Sequence, residues 1–317
     1  MNRVEKIDCS EFNKDDLIKE KGCKKVFVVF STFGEREADL IYDKITLIRT
    51  KLADLVDQIF LSHRRMDNFS KEDLTEQKAK AADSKVEIIN CERLAVSDMK
   101  EEKGKGADMR RALYYLNNKF KGQDLNNYII VFLDADVVPE HFGEHFIVGL
   151  AGAILQGFDF AKASFWRAMG RVKKFVAQPL FSLIEHPELG DLSNLAYPLS
   201  GEVAGTLSFF NSVSFWQRYG VETGINLEAI LTGRKIADVN LGLYDHEHQN
   251  EVNIQKMCFG IMRTYLLQLE HYGLIKLMGQ AKISDSLRFS QIDSATQREE
   301  IEFDLSEKKY QPLESIL

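Results

Sequence analysis

The run Tyr128-Ile-Ile-Val-Phe-Leu133 has no position suited to a solvent-facing side chain, and it stops abruptly at Asp134-Ala135-Asp136. A strand with no polar face must be covered from both sides, which is the environment of a parallel sheet flanked by helices. A second run of the same kind, Lys25-Val-Phe-Val-Val-Phe30, reads as the first strand. After a turn at Ser31–Glu35 it is followed by Ile41, Ile45, Ile48, Leu52 and Leu55, spaced as one apolar helical stripe. Gln58-Ile-Phe-Leu-Ser62 and Val86-Glu-Ile-Ile-Asn90 are the next strands, with a polar loop and a solvated helix between them. Met109, Ala112, Leu113, Leu116 and Phe120 then mark a helix that leads into the strand at 128. The alternation predicts an α/β doubly wound sheet, whose ligands bind at the carboxyl ends of the strands.

The second half is less regular. A helix is expected from about Phe142, a strand over Asp159–Phe165, a helix from about Arg171, a glycine-punctuated segment at Leu199–Gly205 and a helix after Gly220. A strand at Ile236–Leu241 precedes a long helix carrying Ile254, Met257, Ile261, Tyr265 and Leu269, and from Gly279 the chain turns polar and reads as a peripheral extension.

Charge and cysteine usage exclude several function classes. Forty-one Lys and Arg against 48 Asp and Glu give a net charge of -7, which disfavours coating nucleic acid or anionic lipid. No apolar run is long enough to span a bilayer and the first residues lack a secretory pattern, so a cytoplasmic protein is expected. Cys9, Cys23, Cys91 and Cys258 fit neither a disulfide framework nor a zinc site and read as free thiols.

Four clusters could carry chemistry. Asp134-Ala135-Asp136 places two hard oxygen donors at a strand end, suited to Mg²⁺ or Mn²⁺ holding a diphosphate, although acidic residues there are also turn formers. Gly104-Lys105-Gly106 opens a helix and can offer an ammonium and backbone N–H groups to phosphate, or be a surface turn. Tyr244-Asp245-His246-Glu247-His248 ends a strand, where an imidazole could complete a metal site begun by Asp136. Lys162, Arg167, Arg171 and Lys173 form a basic cluster that is either an anion site or a solvated face. His63, His141, His145, His186 and His271 are assigned no role. No GxGxxG follows the first strand, and GxSxG and HExxH are absent.

Taken in order, these motifs resemble the glucosyl-3-phosphoglycerate synthase family of retaining nucleotide-sugar glycosyltransferases. The resemblance runs from about residue 25 to 275. It rests on Gly104-Lys105-Gly106, Asp134-Ala135-Asp136, Gly170-Arg171-Val172, Pro198-Leu-Ser-Gly-Glu-Val-Ala204, Tyr219-Gly-Val-Glu-Thr-Gly224, and Val239-Asn-Leu-Gly242 with His246. It implies a GT-A-like fold for nucleotide-diphospho-sugars, with a mainly parallel central sheet. Residues 25–140 would form the nucleotide-sugar half and 141–278 the acceptor half, with extensions at 1–24 and 279–317. It further implies transfer of glucose from UDP-glucose to the 2-hydroxyl of 3-phosphoglycerate, a Mg²⁺ or Mn²⁺ cofactor, an anionic compatible solute or saccharide precursor as product, and a homodimer.

The same resemblance assigns Asp136 and His246 to the metal, and Thr32, Glu35, Ser62, Lys105, Asp134, Ala135 and Asp136 to the donor. Gly170, Arg171, Lys173, Ser200 and Gly201 fall to the acceptor, and Asp136, Glu222 and Leu199 to catalysis. Departures from the family pattern fall at Ser31–Arg36, Lys173, Tyr244 and His248, in both substrate pockets. The alternatives are a mannosyl or glucosyl transferase with another donor nucleotide or a glycerate-type acceptor, and a nucleotide-sugar-binding protein without catalysis.

Overall fold

In the computed structural model, which describes residues 3–66, 71–166, 170–244, 250–294 and 297–317, the all-apolar runs are interior strands covered on both faces. Strand β5 (Tyr128–Asp134) sends Ile129, Val131 and Leu133 into one core and Tyr128, Ile130 and Phe132 into the other. This is the period-two alternation of a strand with two apolar sides. The chain runs β1 (Val4–Asp8), α1 (Lys14–Lys21), β2 (Lys25–Phe33), α2 (Ala38–Lys51), β3 (Gln58–Arg64), α3 (Leu74–Ala82), β4 (Glu87–Asn90) and α4 (Lys105–Lys119) before β5. There follow α5 (Glu144–Leu155), β6 (Phe160–Trp166), α6 (Gln178–Ser182), β7 (Val203–Thr206), α7 (Leu207–Ser212), β8 (Phe215–Trp216), α8 (Val221–Leu231), β9 (Ile236–Leu243) and α9 (Glu251–His271). A hairpin, β10 (Ser286–Ser294) with β11 (Gln297–Asp304), and the short β12 (Lys309–Tyr310) complete it.

The central sheet has the order β1-β9-β6-β7-β5-β2-β3-β4 and is parallel except for β7, which runs antiparallel to both neighbours. One face is covered by α4, α8 and α9 through residues such as Leu113, Leu116, Ile225, Ile261 and Tyr265. The other is covered by α2 and α5 through Ile41, Ile45, Ile48, Leu150 and Ile154.

Both ends of the chain depart from expectation. Val4–Asp8 is an edge strand of the sheet, in parallel register with β9 from Val4 opposite Ile236. Only Val4 and Ile7 of its five residues are buried, so the apolar signal is too thin to read. The polar tail also returns to the body, where β12 pairs with β8 and the Tyr310 and Leu313 side chains are buried in the main core. The glycine-punctuated segment after Leu199 contains β7, a strand of four residues.

Candidate active site

The carboxyl ends of β2, β3 and β5 open into a cleft of about 860 Å³. In register, Ser31 of β2 lies beside Asp134 of β5, and Thr32 beside His63 of β3. The Lys105 ammonium stands at the centre, 2.6 and 2.8 Å from the two Asp134 oxygens and 3.1 Å from Glu222 Oε1. Burial works against that charge, but Asp134 and Glu222 more than offset it and hold Lys105 protonated well above the usual lysine range.

The glycines beside Lys105 serve close packing. A Cβ on Gly106 would lie 1.8 Å from the Trp216 carbonyl oxygen, and Gly104, at φ +130°, abuts the Gln217 carbonyl. The first turn of α4 is therefore pressed against residues 216–218, and the Ala107 amide donates to the Gln217 carbonyl at 3.0 Å. Lys105 reaches the cleft through its side chain.

The bend Leu199–Glu202 forms the floor. A Cβ on Gly201 would fall 1.9 Å from Lys105 Nζ and 2.2 Å from Asp134 Oδ2, so this residue leaves the space in which the ion pair forms. Ser200 donates its hydroxyl to Glu202 at 2.8 Å, and its carbonyl accepts the Lys162 ammonium at 2.6 Å. Lys162, placed by its spacing in a basic cluster read as an anion site or a solvated face, is instead 1% exposed beneath this floor because its position on β6 faces the core; burial pushes it down to about 8. Arg167 of that cluster lies outside the described residues.

Glu202 is buried, and its other oxygen accepts the Tyr244 hydroxyl at 3.3 Å. Tyr244 stacks on Phe165 at 4.2 Å. Burial and the nearby Asp134 charge raise Glu202 to about 7, against an ordinary 4.5. In this range the folded chain holds a proton that the unfolded chain releases. Stability from this source is complete below about 4.5 and is lost as pH rises through about 7. Glu202→Gln is expected to flatten that decline. Urea unfolding in chelator at about pH 5 and about pH 8 checks it, and an unchanged slope would assign the decline to other groups.

Asp136 follows β5 and faces the same cleft as Glu37, whose carboxyl is raised by burial and by the Asp136 charge. Beneath this turn the buried Lys44 donates to the carbonyls of Ala135 at 2.9 Å and Val137 at 2.6 Å. Its position on the apolar face of α2 was the available sequence signal. His246 and His248 lie outside the described residues.

Thr32 and Ser62 line the cleft above β2 and β3, with Arg64 held bidentately by Asp108 at 2.9 and 2.5 Å. Thr32 Oγ1 is 2.8 Å from His63 Nδ1, while His63 Nε2 is 2.7 Å from Asp73. Asp73 and Glu76 cap α3 reciprocally, and Arg65 grips Glu76 at 2.7 and 2.8 Å. His63, Asp73 and Glu76 bring three metal-type donor atoms within 4.8 Å of one another, yet these bonds already engage all three. Glu35, assigned to the donor, stands away from the cleft lining and accepts the Leu74 amide at 2.9 Å. Glu37 takes the place in the lining.

On the opposite lip Gly170, Arg171, Val172 and Lys173 enter a π-helical turn, Lys173–Ala177, that runs into α6. Arg171 is exposed, and the Lys173 ammonium sits 4.8 Å over the Tyr197 ring. Burial, with Lys174 nearby, lowers Lys173. Leu199, Ser200 and Gly201 border the same opening.

No protein-family model matches the chain. Over 282 residues it is 32% identical to glucosyl-3-phosphoglycerate synthase of Petrotoga mobilis, covering 82% of this chain and 78% of that protein. The chain belongs to the glucosyl-3-phosphoglycerate synthase family. The synthase of Mycolicibacterium smegmatis is 29% identical over 269 residues, 79% of this chain and 80% of its own. Mannosyl-3-phosphoglycerate synthase from Rubrobacter xylanophilus has the same fold, with a TM-score of 0.80 at 24% identity over 98% of this chain and 97% of that one. Glucosyl-3-phosphoglycerate synthase from Mycobacterium tuberculosis, crystallised with Mn²⁺, UDP and phosphoglyceric acid, gives a TM-score of 0.74 at 23% identity over 96% of each chain. The GT-A-like architecture expected of a glucosyl-3-phosphoglycerate synthase is thus the architecture of this family member.

Proposed function

We propose that the chain transfers glucose from UDP-glucose to the 2-hydroxyl of 3-phosphoglycerate with retention at the anomeric carbon, using Mg²⁺ or Mn²⁺. In a chain of this family, the observation that carries the proposal is one ammonium held between Asp134 and Glu222 at the carboxyl ends of the sheet. The cleft offers hard oxygen donors, Asp136 and Glu37 among them, and Asp136 raises the carboxyls of both Glu37 and Glu202. That donor set fits a hard divalent cation. Asp136 and His246 would hold it. When bound, the ion supplies Lewis-acid stabilisation of charge on the departing diphosphate.

The remaining work falls to the chain. Strands β5, β2 and β3 are adjacent, at about 4.8 Å per step, so a nucleotide anchored at Asp136 reaches Thr32 and Ser62 within roughly 10 Å. Lys105 presents a pre-oriented cation to the diphosphate, beside Asp134 and Ala135, so little reorganisation accompanies charge development. At the lip, beside Gly170, Arg171 and Lys173 pair with the acceptor's phosphate and carboxylate. Glu222 orients the sugar or the attacking hydroxyl, with Leu199, Ser200 and Gly201 bounding the reacting face. The acceptor oxygen attacks from the side the diphosphate leaves. Its proton passes to the departing phosphate oxygen, and no second flanking carboxylate is required. A homodimer and a cytoplasmic location belong to the same proposal.

A panel of UDP-, GDP- and ADP-sugars against 3-phosphoglycerate and glycerate, with each cation, tests this through released nucleoside diphosphate. UDP release that needs UDP-glucose, 3-phosphoglycerate and a cation together is the expected result; preference for another donor or acceptor would reassign the substrates. In the same assay Arg171→Ala is expected to raise the acceptor KM by roughly tenfold or more, leaving the donor KM within about twofold. The reverse pattern would move the anion site elsewhere.

A further inference from the structure

The C-terminal residues hold the turn from which Glu222 projects. Glu307, 7% exposed, accepts three consecutive backbone N–H groups, from Arg218 at 3.2 Å, Tyr219 at 3.1 Å and Gly220 at 3.1 Å. These donors lead directly into α8, whose N-cap is Gly220, and a carboxylate there satisfies the amides of the approach to the helix and complements its positive end. Glu222 is the second residue of α8.

The next residue extends the brace. Lys308 donates its amide to Gln217 Oε1 at 3.2 Å, and its carbonyl accepts the Gln217 amide at 3.0 Å. Its ammonium donates to the Asp98 carbonyl at 2.5 Å and to Glu102 at 3.0 Å. Gln217 in turn donates its side chain to the Lys103 carbonyl at 3.1 Å and accepts the Ala107 amide at 3.0 Å. The turn at 217–220, which launches Glu222, is thus bonded through Gln217 to the segment at 103–107, which carries Lys105, and residues 307 and 308 hold that turn from its other side.

We propose that Glu307 is a positioning residue for the transfer reaction, setting the first turn of α8 and through it the 3.1 Å contact between Glu222 and Lys105. The tail does not depend on Glu307 for its attachment, since Tyr310 and Leu313 are buried in the core and β12 pairs with β8. Losing the carboxylate therefore frees the turn while the tail stays docked. The inference rests on the proposed activity.

The test uses the full chain with Mg²⁺, UDP-glucose and 3-phosphoglycerate, comparing wild type, Glu307→Gln and Glu307→Ala. Turnover is expected to fall roughly 10- to 100-fold in the alanine variant and less in the glutamine variant, which keeps one acceptor oxygen. Both KM values should stay within about twofold, and amide exchange should accelerate at Arg218, Tyr219 and Gly220 but not in β12. Turnover within about twofold of wild type in Glu307→Ala would overturn the proposal. So would a loss matched by an equal loss of UDP-binding sites, which marks global unfolding. A wild type that releases no UDP would strike the proposed activity alone, with the amide exchange still deciding the brace.

Discussion

Asp136→Ala is expected to lower nucleoside diphosphate release by about 10³-fold or more while leaving the chain folded. The two halves of that expectation have separate causes. Asp136 is half-buried on a turn, and its charge raises the carboxyls of Glu37 and Glu202 while supporting the buried Lys44 ammonium, so in cation-free protein its removal relieves repulsion and gives up an attraction together. Lys44 continues to hold the turn through the Ala135 and Val137 carbonyls. The midpoint of thermal unfolding in chelator should therefore stay within a few degrees of wild type, at about 1 kcal/mol or less of net change. Added Mn²⁺ with UDP should stabilise wild type and not the variant, since a ligand stabilises only the state that binds it. Full turnover in Asp136→Ala would remove the residue from the metal site, and a collapsed midpoint would make its role structural.

Gly201→Ala is expected to cost about 10²-fold in kcat/KM from a single methyl group. The added carbon falls within 1.9 Å of Lys105 Nζ and 2.2 Å of Asp134 Oδ2, closer than any non-bonded contact allows, so either the ion pair separates or the bend at 199–202 lifts. Separation leaves Asp134 without the cation beside it and Lys105 with Glu222 alone. Lifting the bend strains the Ser200 carbonyl's bond to Lys162, at present 2.6 Å. A conformational cause is excluded, because Gly201 is not among the glycines with positive φ and alanine is tolerated by its backbone. Steady-state kinetics with a circular dichroism control checks the expectation; unchanged kcat/KM would show that the cleft does not require this ion pair.

The parts of the fold that could be read from the chain were those where burial is complete. Tyr128–Leu133 is interior on both faces, so apolarity at every position announces it, and Ile41, Ile45 and Ile48 mark the helix that covers it. Edge and tail segments carry half as much signal: Val4–Asp8 buries two residues among charged ones, and Tyr310 is held by a partner strand far away in the chain. At the site, Lys105 and Asp134 could be found because local patterns carry them, glycines at a helix start and acids at a strand end, whereas Glu222 was reached only through the family resemblance of Tyr219–Gly224. Residues whose role depends on partners distant in sequence were not visible. Lys162 read as part of a cluster that was either an anion site or a solvated face and is a buried prop, and Glu307 lay in a tail read as peripheral. Glu202 was one letter of a motif, and only its burial beside Asp134 gives it an unusual proton affinity.

In the proposed enzyme Asp136 and His246 share one divalent cation with the donor's diphosphate. A crystal structure of the chain with Mn²⁺ and UDP, with anomalous data collected at the manganese edge, measures this directly. A single anomalous peak coordinated by Asp136 oxygen, His246 nitrogen and the UDP phosphates is the expected result. A peak held by other residues, or Asp136 and His246 directed to opposite sides of the molecule, would contradict it.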